Sequence, residues 1–521
     1  MRKNYVLTLV CSCLLAWALN AQPVYERHTY EVYNYLARMA QKGLIVFNDL
    51  TRPLSRDYIK SCLDSLSSKD GLLSVVEKKE LSFYQREYTE GARKRAFNAA
   101  KDGFTLQADP IITGSYTTGT NTGFDSRSVG LNFWGRAGKQ WGYQFSFQDF
   151  NLQGRGLDTT GGKTLEAGAS TGMAMQYAFM KNKINYTELR GHISYSFKNG
   201  SISVGQDYLL WGYGETGRLV LSDKAPVYPY LRLDYQPLPW LRFNYTHAWL
   251  RSNVIDSSGS YPYPGGVFTG IREVEVSKYM ASHSLDITLA KGLNFAFGES
   301  IIYNDKLQAG YLIPILFFKA VDNANNTDAI EKGSNGQFFF QINSRNQIKN
   351  THLYGTLFID EISLGGIFNK QKQRNQLGYT LGGTITDIGL PYLTIGMEYT
   401  RVRPFVYRNF LPAQNYTHQG YLLGDWMGSN ADRVSLLARY TPLPRLKLQA
   451  RYTHIRKGGE GTLAQQYDQQ PQPPFLFDFK QRSNEVLFNM QYECIPRFYL
   501  NMNFQRFDQR NRLFLGLTYG L

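Results

Sequence analysis

Leu513-Phe514-Leu515-Gly516-Leu517-Thr518-Tyr519-Gly520-Leu521, the last nine residues of this 521-residue chain, alternate without a miss. Leu513, Leu515, Leu517, Tyr519 and Leu521 point one way; Phe514, Gly516, Thr518 and Gly520 point the other. The run reaches Leu521 in mid-strand, with no polar tail. A terminal strand of a soluble protein needs a covered face and a solvated end. In a closed membrane barrel the last strand pairs with the first and leaves no edge, so an apolar terminal strand is expected there.

The spacing Gly516-x-x-Tyr519-x-Leu521 resembles the C-terminal signal that bacterial outer-membrane barrels present to their assembly machinery. Phe514 stands where that signal usually has a polar residue. The other end agrees. Arg2 and Lys3 precede an apolar stretch from Tyr5 to Leu19, and cleavage is expected between Ala21 and Gln22. The stretch is shorter than the ~18–20 residues of a spanning helix, so it reads as a secretory leader. Val10-Cys11-Ser12-Cys13 is a poor lipobox.

After the leader the longest apolar run is Tyr311 to Phe318, eight residues broken by Pro314, too short to cross a bilayer as a helix. Mean hydropathy is −0.37 although aromatics make up 15% of the chain. That combination fits strands with one face to lipid and one to a wet lumen. The leader carries two of the 57 Lys and Arg and none of the 42 Asp and Glu, which leaves +13 on the rest. The compartment excludes nucleic acid as the partner. Phosphorylated lipopolysaccharide at the membrane surface and an acidic polysaccharide both remain open. Cys62 and Cys494 are the cysteines left after the leader, either two isolated thiols or one disulfide.

Residues from about 28 to 97 have helical periodicity. Val32, Tyr35, Leu36 and Met39 share a face, with Gly43 as the stop. Ser55 caps a second helix carrying Ile59, Cys62, Leu63 and Leu66. Ser74 and Glu77 form a capping box before a third, in which Leu81, Tyr84 and Tyr88 align. The domains expected are a signal peptide (1–21), a periplasmic helical bundle (22–100) and an outer-membrane β-barrel (101–521). A bundle this small is marginal alone and is expected to lean on the barrel mouth.

From about Phe104 the period is two, as in Trp141/Tyr143/Phe145/Phe147. Short turns are read near Gly138, at Lys198-Asn199-Gly200, Pro237-Leu238-Pro239 and Lys291-Gly292. Others lie near Lys349-Asn350 and at Gly389-Leu390-Pro391, Pro442-Leu443-Pro444 and Ile495-Pro496. The similar stretches Tyr235-Gln-Pro-Leu-Pro and Tyr440-Thr-Pro-Leu-Pro read as one hairpin solution used twice. Eight short turns with both barrel ends on the periplasmic side imply about 18 antiparallel strands, roughly 23 residues for each strand with its connection. One turn more or fewer makes 20 or 16.

The long connections should carry function. They are loop 2 around Gly154 to Gly172, loop 3 from Trp211, loop 4 at Tyr261-Pro-Tyr-Pro-Gly-Gly266 and loop 5 from Tyr303 to Gln337. Loop 6 holds Lys370, Lys372 and Arg374, loop 7 spans Pro404 to Asn430, and loop 8 contains Pro471 to Phe479. A lumen this wide would leak, so some loops or the bundle are expected to fold over it.

Catalysis has little support: His192, His247 and His454 lie within strands as ordinary lumenal polar residues, with no GxSxG, HExxH or metal-type Cys/His spacing. No cofactor is called for. Sugar binding has more. Trp211, Tyr213, Tyr261 and Tyr263 are aromatics in Gly- and Pro-shaped loops, with Arg218, Asp223 and Arg272 near them. Lys370, Lys372 and Arg374 could meet anionic sugars. The competing readings are an interfacial aromatic girdle and a solvated charge run.

The stretch Gly205-Gln-Asp-Tyr-Leu-Leu-Trp-Gly-Tyr-Gly-Glu-Thr-Gly-Arg-Leu-Val-Leu-Ser-Asp-Lys-Ala-Pro226 resembles the signature of the capsule assembly Wzi family, as it occurs in Bacteroidetes-type bacteria. Tyr311 to Phe318 looks like a second family segment, and Gly43-Leu44-Ile45 with Arg52-Pro53-Leu54-Ser55-Arg56 looks like its helical leader. The resemblance implies an 18-stranded outer-membrane barrel with a periplasmic helical bundle. It also implies a lectin-like, non-enzymatic role in assembling capsular or other surface polysaccharide and holding it on the cell. Trp211 with Gly212, Gly214, Ser222, Ala225 and Pro226 are motif positions, expected to shape a turn inside the barrel mouth. Two alternatives stay open: a channel or transporter for a small solute, and an accessory of gliding motility, since similar family members occur in gliding bacteria.

Overall fold

The computed structural model describes residues 24–157, 178–180, 182–263, 270–325, 333–362, 365, 368–369, 371 and 373–520. The leader, Leu521, Lys370, Lys372 and most of the Gly-rich part of loop 2 lie outside the described residues.

Three helices open the described chain: α1 Val32–Gln41, α2 Arg56–Ser67 and α3 Val75–Tyr88. Their sequence signals appear as geometry. Ser55 Oγ accepts from Tyr58 N, and the Ser74–Glu77 capping box is complete. Val32, Leu36, Met39, Ile59, Leu63, Leu66 and Tyr84 form a buried core, and Tyr499 of the barrel packs into it. Cys62 is buried and Cys494 half-buried, and both thiols are free, so no disulfide joins them. Burial pushes the Cys62 thiol up to about 12.

The barrel has 18 antiparallel strands. They are β1 Phe104–Gly119, β2 Thr122–Ala137, β3 Trp141–Arg155, β4 Lys183–Phe197, β5 Gly200–Asp207 and β6 Tyr228–Leu238. Next come β7 Leu241–Ile255, β8 Glu275–Ala290, β9 Leu293–Asn304, β10 Asn335–Arg345, β11 Thr351–Glu361 and β12 Gln376–Thr386. Last are β13 Leu393–Val402, β14 Ala431–Tyr440, β15 Leu446–Lys457, β16 Gln481–Ile495, β17 Phe498–Phe507 and β18 Arg510–Tyr519. Each pairs with its sequence neighbour, and β18 closes on β1 with Tyr519 opposite Ile112 and Arg512 opposite Gly119. Below that seam Phe97–Lys101 folds back on β1.

All eight turns read in the sequence appear as short connections, and Asn199 takes φ +64° in its hairpin; at the opposite end Thr120-Asn121 and Asp508-Gln509 make two further two-residue turns that the sequence reading did not single out. The two Pro-Leu-Pro hairpins differ, however. Pro237 lies within β6, at a register shift between Tyr235 and Leu238, so the turn is the pair Pro239-Trp240. The other turn takes five residues, from Thr441 to Arg445. A bulge near a strand end accommodates a proline that a regular ladder would reject. The strand histidines divide too. His192 is buried and its Nε2 accepts from Tyr25 N in the lumen, whereas His247 and His454 sit on the outer wall.

The helices dock on the short-turn end, which in outer-membrane barrels faces the periplasm. Arg38 Nε donates to Thr386 Oγ1 at 3.0 Å, and Gln41 Nε2 to the Asn350 carbonyl at 2.8 Å. Glu80 accepts from Arg445 N at 3.1 Å and from Tyr392 and Lys447. Glu87 lies among Arg56 at 3.1 Å, Arg95 at 2.9 Å and Arg497 at 3.2 Å, with Arg93 also paired.

Candidate functional site

The lumen is filled from both ends. From the short-turn end, the segment between α1 and α2 rises into the barrel, where Asn48 bonds Asp286 on the inner face of β8. From the other end, loop 3 descends. The two meet as a small antiparallel ladder, Thr51 opposite Trp211 and Arg52 opposite Leu210. Gly212 N donates to Leu50 O at 2.9 Å.

One carboxylate organises the junction. Asp49 is 1% exposed, pairs with Arg345 at 2.8 Å and with Arg52, and accepts from Tyr213 OH at 3.0 Å. Burial alone would raise its pKa, yet Arg345 and Arg52 hold it well below the usual carboxylate range. Burial and the Asp49 charge push the Tyr213 phenol well up.

Loop 7 completes the plug. Tyr407 and Tyr416 donate their hydroxyls to the Leu219 and Val220 carbonyls at 2.7 and 3.0 Å. Ser222 donates N–H to Leu423 O at 2.8 Å and its hydroxyl to Gly424 O at 2.7 Å. Arg433 of β14 forks onto Asp425 at 2.7 and 2.8 Å. Glu398 of β13 accepts from Glu215 N, Thr216 Oγ1 and Tyr354 OH at 2.6, 2.7 and 2.7 Å. The turn needs glycine at 214, where a Cβ would lie 1.7 Å from the Gly217 carbonyl oxygen. Trp211, Leu219, Val220, Leu221 and Ala225 share one apolar core with Tyr407, Tyr416 and Met427; Pro226 is buried beside Ala225.

The candidate sugar-binding residues therefore do not form one site. Trp211 and Tyr213 are 3% and 7% exposed within the plug. Arg218 is half-buried, donates Nε to Gly212 O at 2.9 Å, and is lowered in pKa first by burial and then by Arg52. Asp223 is half-buried beside His28 and Lys224; burial opposes its ionisation, but the Lys224 charge and a hydrogen bond from His28 hold it well below its ordinary value. Tyr261 and Tyr263, by contrast, are 55% and 42% exposed on a loop 4 hairpin, with Arg272 opposite Tyr261. Arg374 is half-buried near Glu361 and donates to the Tyr467 carbonyl.

Two cavities accompany the plug. One of about 280 Å³ lies between α1, loop 3 and the lumenal wall, lined by Arg38, Arg52, Arg218, Arg345, Arg439 and Tyr354 among others. The other, about 660 Å³, opens under loops 5, 7 and 8 and includes Asn335, Gln376, Arg408, Phe410 and Tyr467. Among the described residues no group of three His, Cys, Asp or Glu gathers as a metal site. Sequence reasoning missed Asp49, Arg345, Glu398, Asp425 and Arg433. Each reads locally as an ordinary polar residue, and their partners lie far away in sequence.

A closed 18-stranded barrel with an apolar outer wall, short turns at one end and long loops at the other is a transmembrane barrel of the outer-membrane type. Its filled lumen marks a plugged member of that class. The chain belongs to the capsule assembly Wzi family: the model of the capsule assembly protein Wzi matches residues 160–506, more than half its length. The fold is similar to that of Wzi of Escherichia coli, described as an outer-membrane carbohydrate-binding β-barrel involved in group 1 capsule assembly. The two are 13% identical with a TM-score of 0.62, covering 96% of this chain and 100% of that one. Pseudomonas aeruginosa OccK5 is 12% identical with a TM-score of 0.43, covering 80% and 98% of the two chains. Acinetobacter baumannii OccAB2 is 10% identical with a TM-score of 0.44, covering 80% and 97%. No curated protein matches the chain significantly.

Proposed function

We propose that this protein sits in the outer membrane, binds capsular or other surface polysaccharide through its long loops and helps assemble or hold it on the cell, without catalysing a reaction. The observation that carries this reading is the family match, which runs from loop 2 into β17 and so takes in most of the barrel wall and its loops. The E. coli relative's described carbohydrate binding points the same way. Tyr261, Tyr263 and Arg272 are the first candidates for contact, as exposed aromatics beside a cation. Arg374, at the rim of loops 6 and 8, is the next. Lys370 and Lys372, outside the described residues, complete the loop 6 cations. Trp211 and Tyr213 contribute by holding the plug. The filled lumen favours this reading over a solute channel. In the membrane the basic surface meets lipopolysaccharide, the leader 1–21 is removed on export, and the β18 strand is what the barrel assembly machinery reads.

The test is binding of the purified mature protein to polysaccharide from its own host, with capsule retention measured in a deletion strain. Tyr261→Ala with Tyr263→Ala should weaken binding by about tenfold, the effect of losing roughly 1.4 kcal/mol. The deletion strain should make polysaccharide but shed it. Full retention together with no binding would remove the reading.

A further inference from the structure

Between Tyr311 and Phe318, loop 5 turns outward and lies against the outside of the barrel. On β7, β8 and β9 the inward residues Ala248, Met280 and Ile302 belong to the plug core with Trp211. The residues pointing the opposite way form a separate buried cluster: Tyr245, Ala281, Ile301 and Tyr303, closed by Tyr311 and Phe318 of loop 5. On the wall elsewhere, lipid-facing residues stand open: Val204 is 61% exposed and Leu381 60%. Under loop 5, His247, Ile301 and Glu299 are 0%, 0% and 3% exposed.

What loop 5 covers is polar. His283 and Glu299 approach to 3.2 Å across the rung Tyr245–His283–Glu299. His247 hydrogen-bonds Tyr303 OH at 2.7 Å. The loop 5 backbone satisfies His283, Tyr245 and Glu299. Pro314 O accepts from His283 Nδ1 at 2.8 Å, and Tyr311 O accepts from Tyr245 OH at 2.8 Å. Phe318 N and Lys319 N, at the start of α4 Phe318–Asn325, both donate to the Glu299 carboxylate. A negative charge there also suits a helix N-terminus.

The depth of this cluster follows from the register. Trp249, Tyr279 and Tyr303 share a rung at the outer aromatic girdle. Glu299 lies four residues further in, about 13 Å along the strand. For a tilt near 40° that is roughly 10 Å below the girdle, inside an apolar band about 25 Å tall. The rungs beneath it are apolar: Phe243–Leu285–Phe297, then Leu241–Ile287–Phe295. Loop 5 turns alternate residues away from the wall at this level: Ile313 is 46% exposed, Ile315 81% and Phe317 54%. Phe317 meets outward-facing Phe338 of β10 at 5.9 Å between ring centroids, so its apolar edge is continuous with the barrel's lipid-facing belt.

We propose that Tyr311–Phe318 is a strap seated in the outer leaflet, with Ile313, Ile315 and Phe317 against lipid acyl chains and Glu299 as its latch. A carboxylate and an imidazole, Glu299 and His283, on a lipid-facing wall are costly in hydrocarbon unless covered. The strap covers them and replaces their surface with an apolar one. It is therefore a lipid-contacting element and not part of the solvent-facing loop canopy. The proposal stands on the barrel geometry and is independent of the polysaccharide reading.

The test uses the full mature protein in lipid vesicles, with one bimane at Ile315→Cys in a Cys62→Ala, Cys494→Ser background. Val204→Cys on the open lipid face and Tyr261→Cys on the loop 4 hairpin are the references. Bimane at 315 should be quenched by phosphatidylcholine brominated in its acyl chains as strongly as at 204, and should be shielded from iodide. Iodide quenching equal to that at 261 overturns the proposal. Adding Glu299→Leu removes the acceptor for Phe318 N and Lys319 N, and iodide access at 315 should rise. Unchanged access overturns the latch. The first measurement needs no change at Glu299 and decides the membrane seat even if that variant fails to fold.

Discussion

Asp49 shows how much of this molecule turns on single buried charges. Its carboxylate lies between Arg345 and Arg52 and takes the Tyr213 hydroxyl, at the point where the N-terminal segment meets loop 3. Removing one member of a buried ionic group strands the others, at a cost of about 3–5 kcal/mol. Asp49→Ala therefore leaves two guanidiniums without their carboxylate in the lumen. The expected outcome is local. The barrel's heat-modifiable migration on gels stays, because the strand ladders are untouched, while trypsin cuts after Arg218, before Leu219, much faster. Equal cleavage of variant and parent would show that Asp49 does not hold the junction. The same residue shows where sequence reading stops. Asp49 sits in the linker between α1 and α2, and its partners at 213 and 345 leave no local signal, whereas the Ser74–Glu77 cap is legible because both of its halves lie within one turn.

At the scale of elements, what the sequence reveals is what is local. Three helices follow from caps and 3.6-residue periodicity, and eight hairpins follow from turn residues flanking period-two runs. Where long loops go is not local. Loops 3 and 7 enter the lumen, whereas loop 5 leaves it between Tyr311 and Phe318; that apolar run is visible in the sequence, but not the face of the wall it packs on. Period two separates the faces of a strand without saying which is lumenal, and so His247 reads as lumenal while standing on the outer wall. The candidate binding residues divide on the same ground: Tyr261 and Tyr213 look alike in sequence, and only the path of the loop exposes one and buries the other. The helical bundle carries its own prediction. Burial would raise the Glu87 and Glu26 carboxyls, but Arg497 and Arg56 hold both below their ordinary range. A carboxyl depressed in the folded state stabilises docking above its unfolded pKa, near 4.5, and loses that contribution as pH falls through the lower folded value. Spin labels on exposed Ser65 of α2 and Leu443 in the β14–β15 turn should report one distance from neutral pH down to about 4.5. Longer distances should appear only in stronger acid. Release on the alkaline side would contradict the assignment.

The whole molecule is a barrel of a size that otherwise leaves an aqueous channel, since 16–18 strands enclose one in porins. Three segments occupy that space, the N-terminal one from the short-turn end and loops 3 and 7 from the other, and the first joins loop 3 through Gly212 N to Leu50 O and through Asp49. The bundle covers the short-turn end, and loop 7 holds loop 3 down from the other. A protein that works by gripping a polymer at the cell surface has no need of a pore, and an unfilled one would breach the membrane barrier. Closure should therefore be the resting state. The purified protein in planar bilayers should show no steady conductance. Replacing Gly212–Arg218 with a short Gly-Ser linker takes away the Tyr213 contact to Asp49 and the Thr216 contacts to Glu398 and Arg433. Steady current should then appear while the 18-strand wall, and with it heat-modifiable migration, persists. A parent protein that conducts steadily would assign the lumen to transport. A silent replacement variant would place the seal in the helical bundle instead of at the junction of loop 3 with the N-terminal segment.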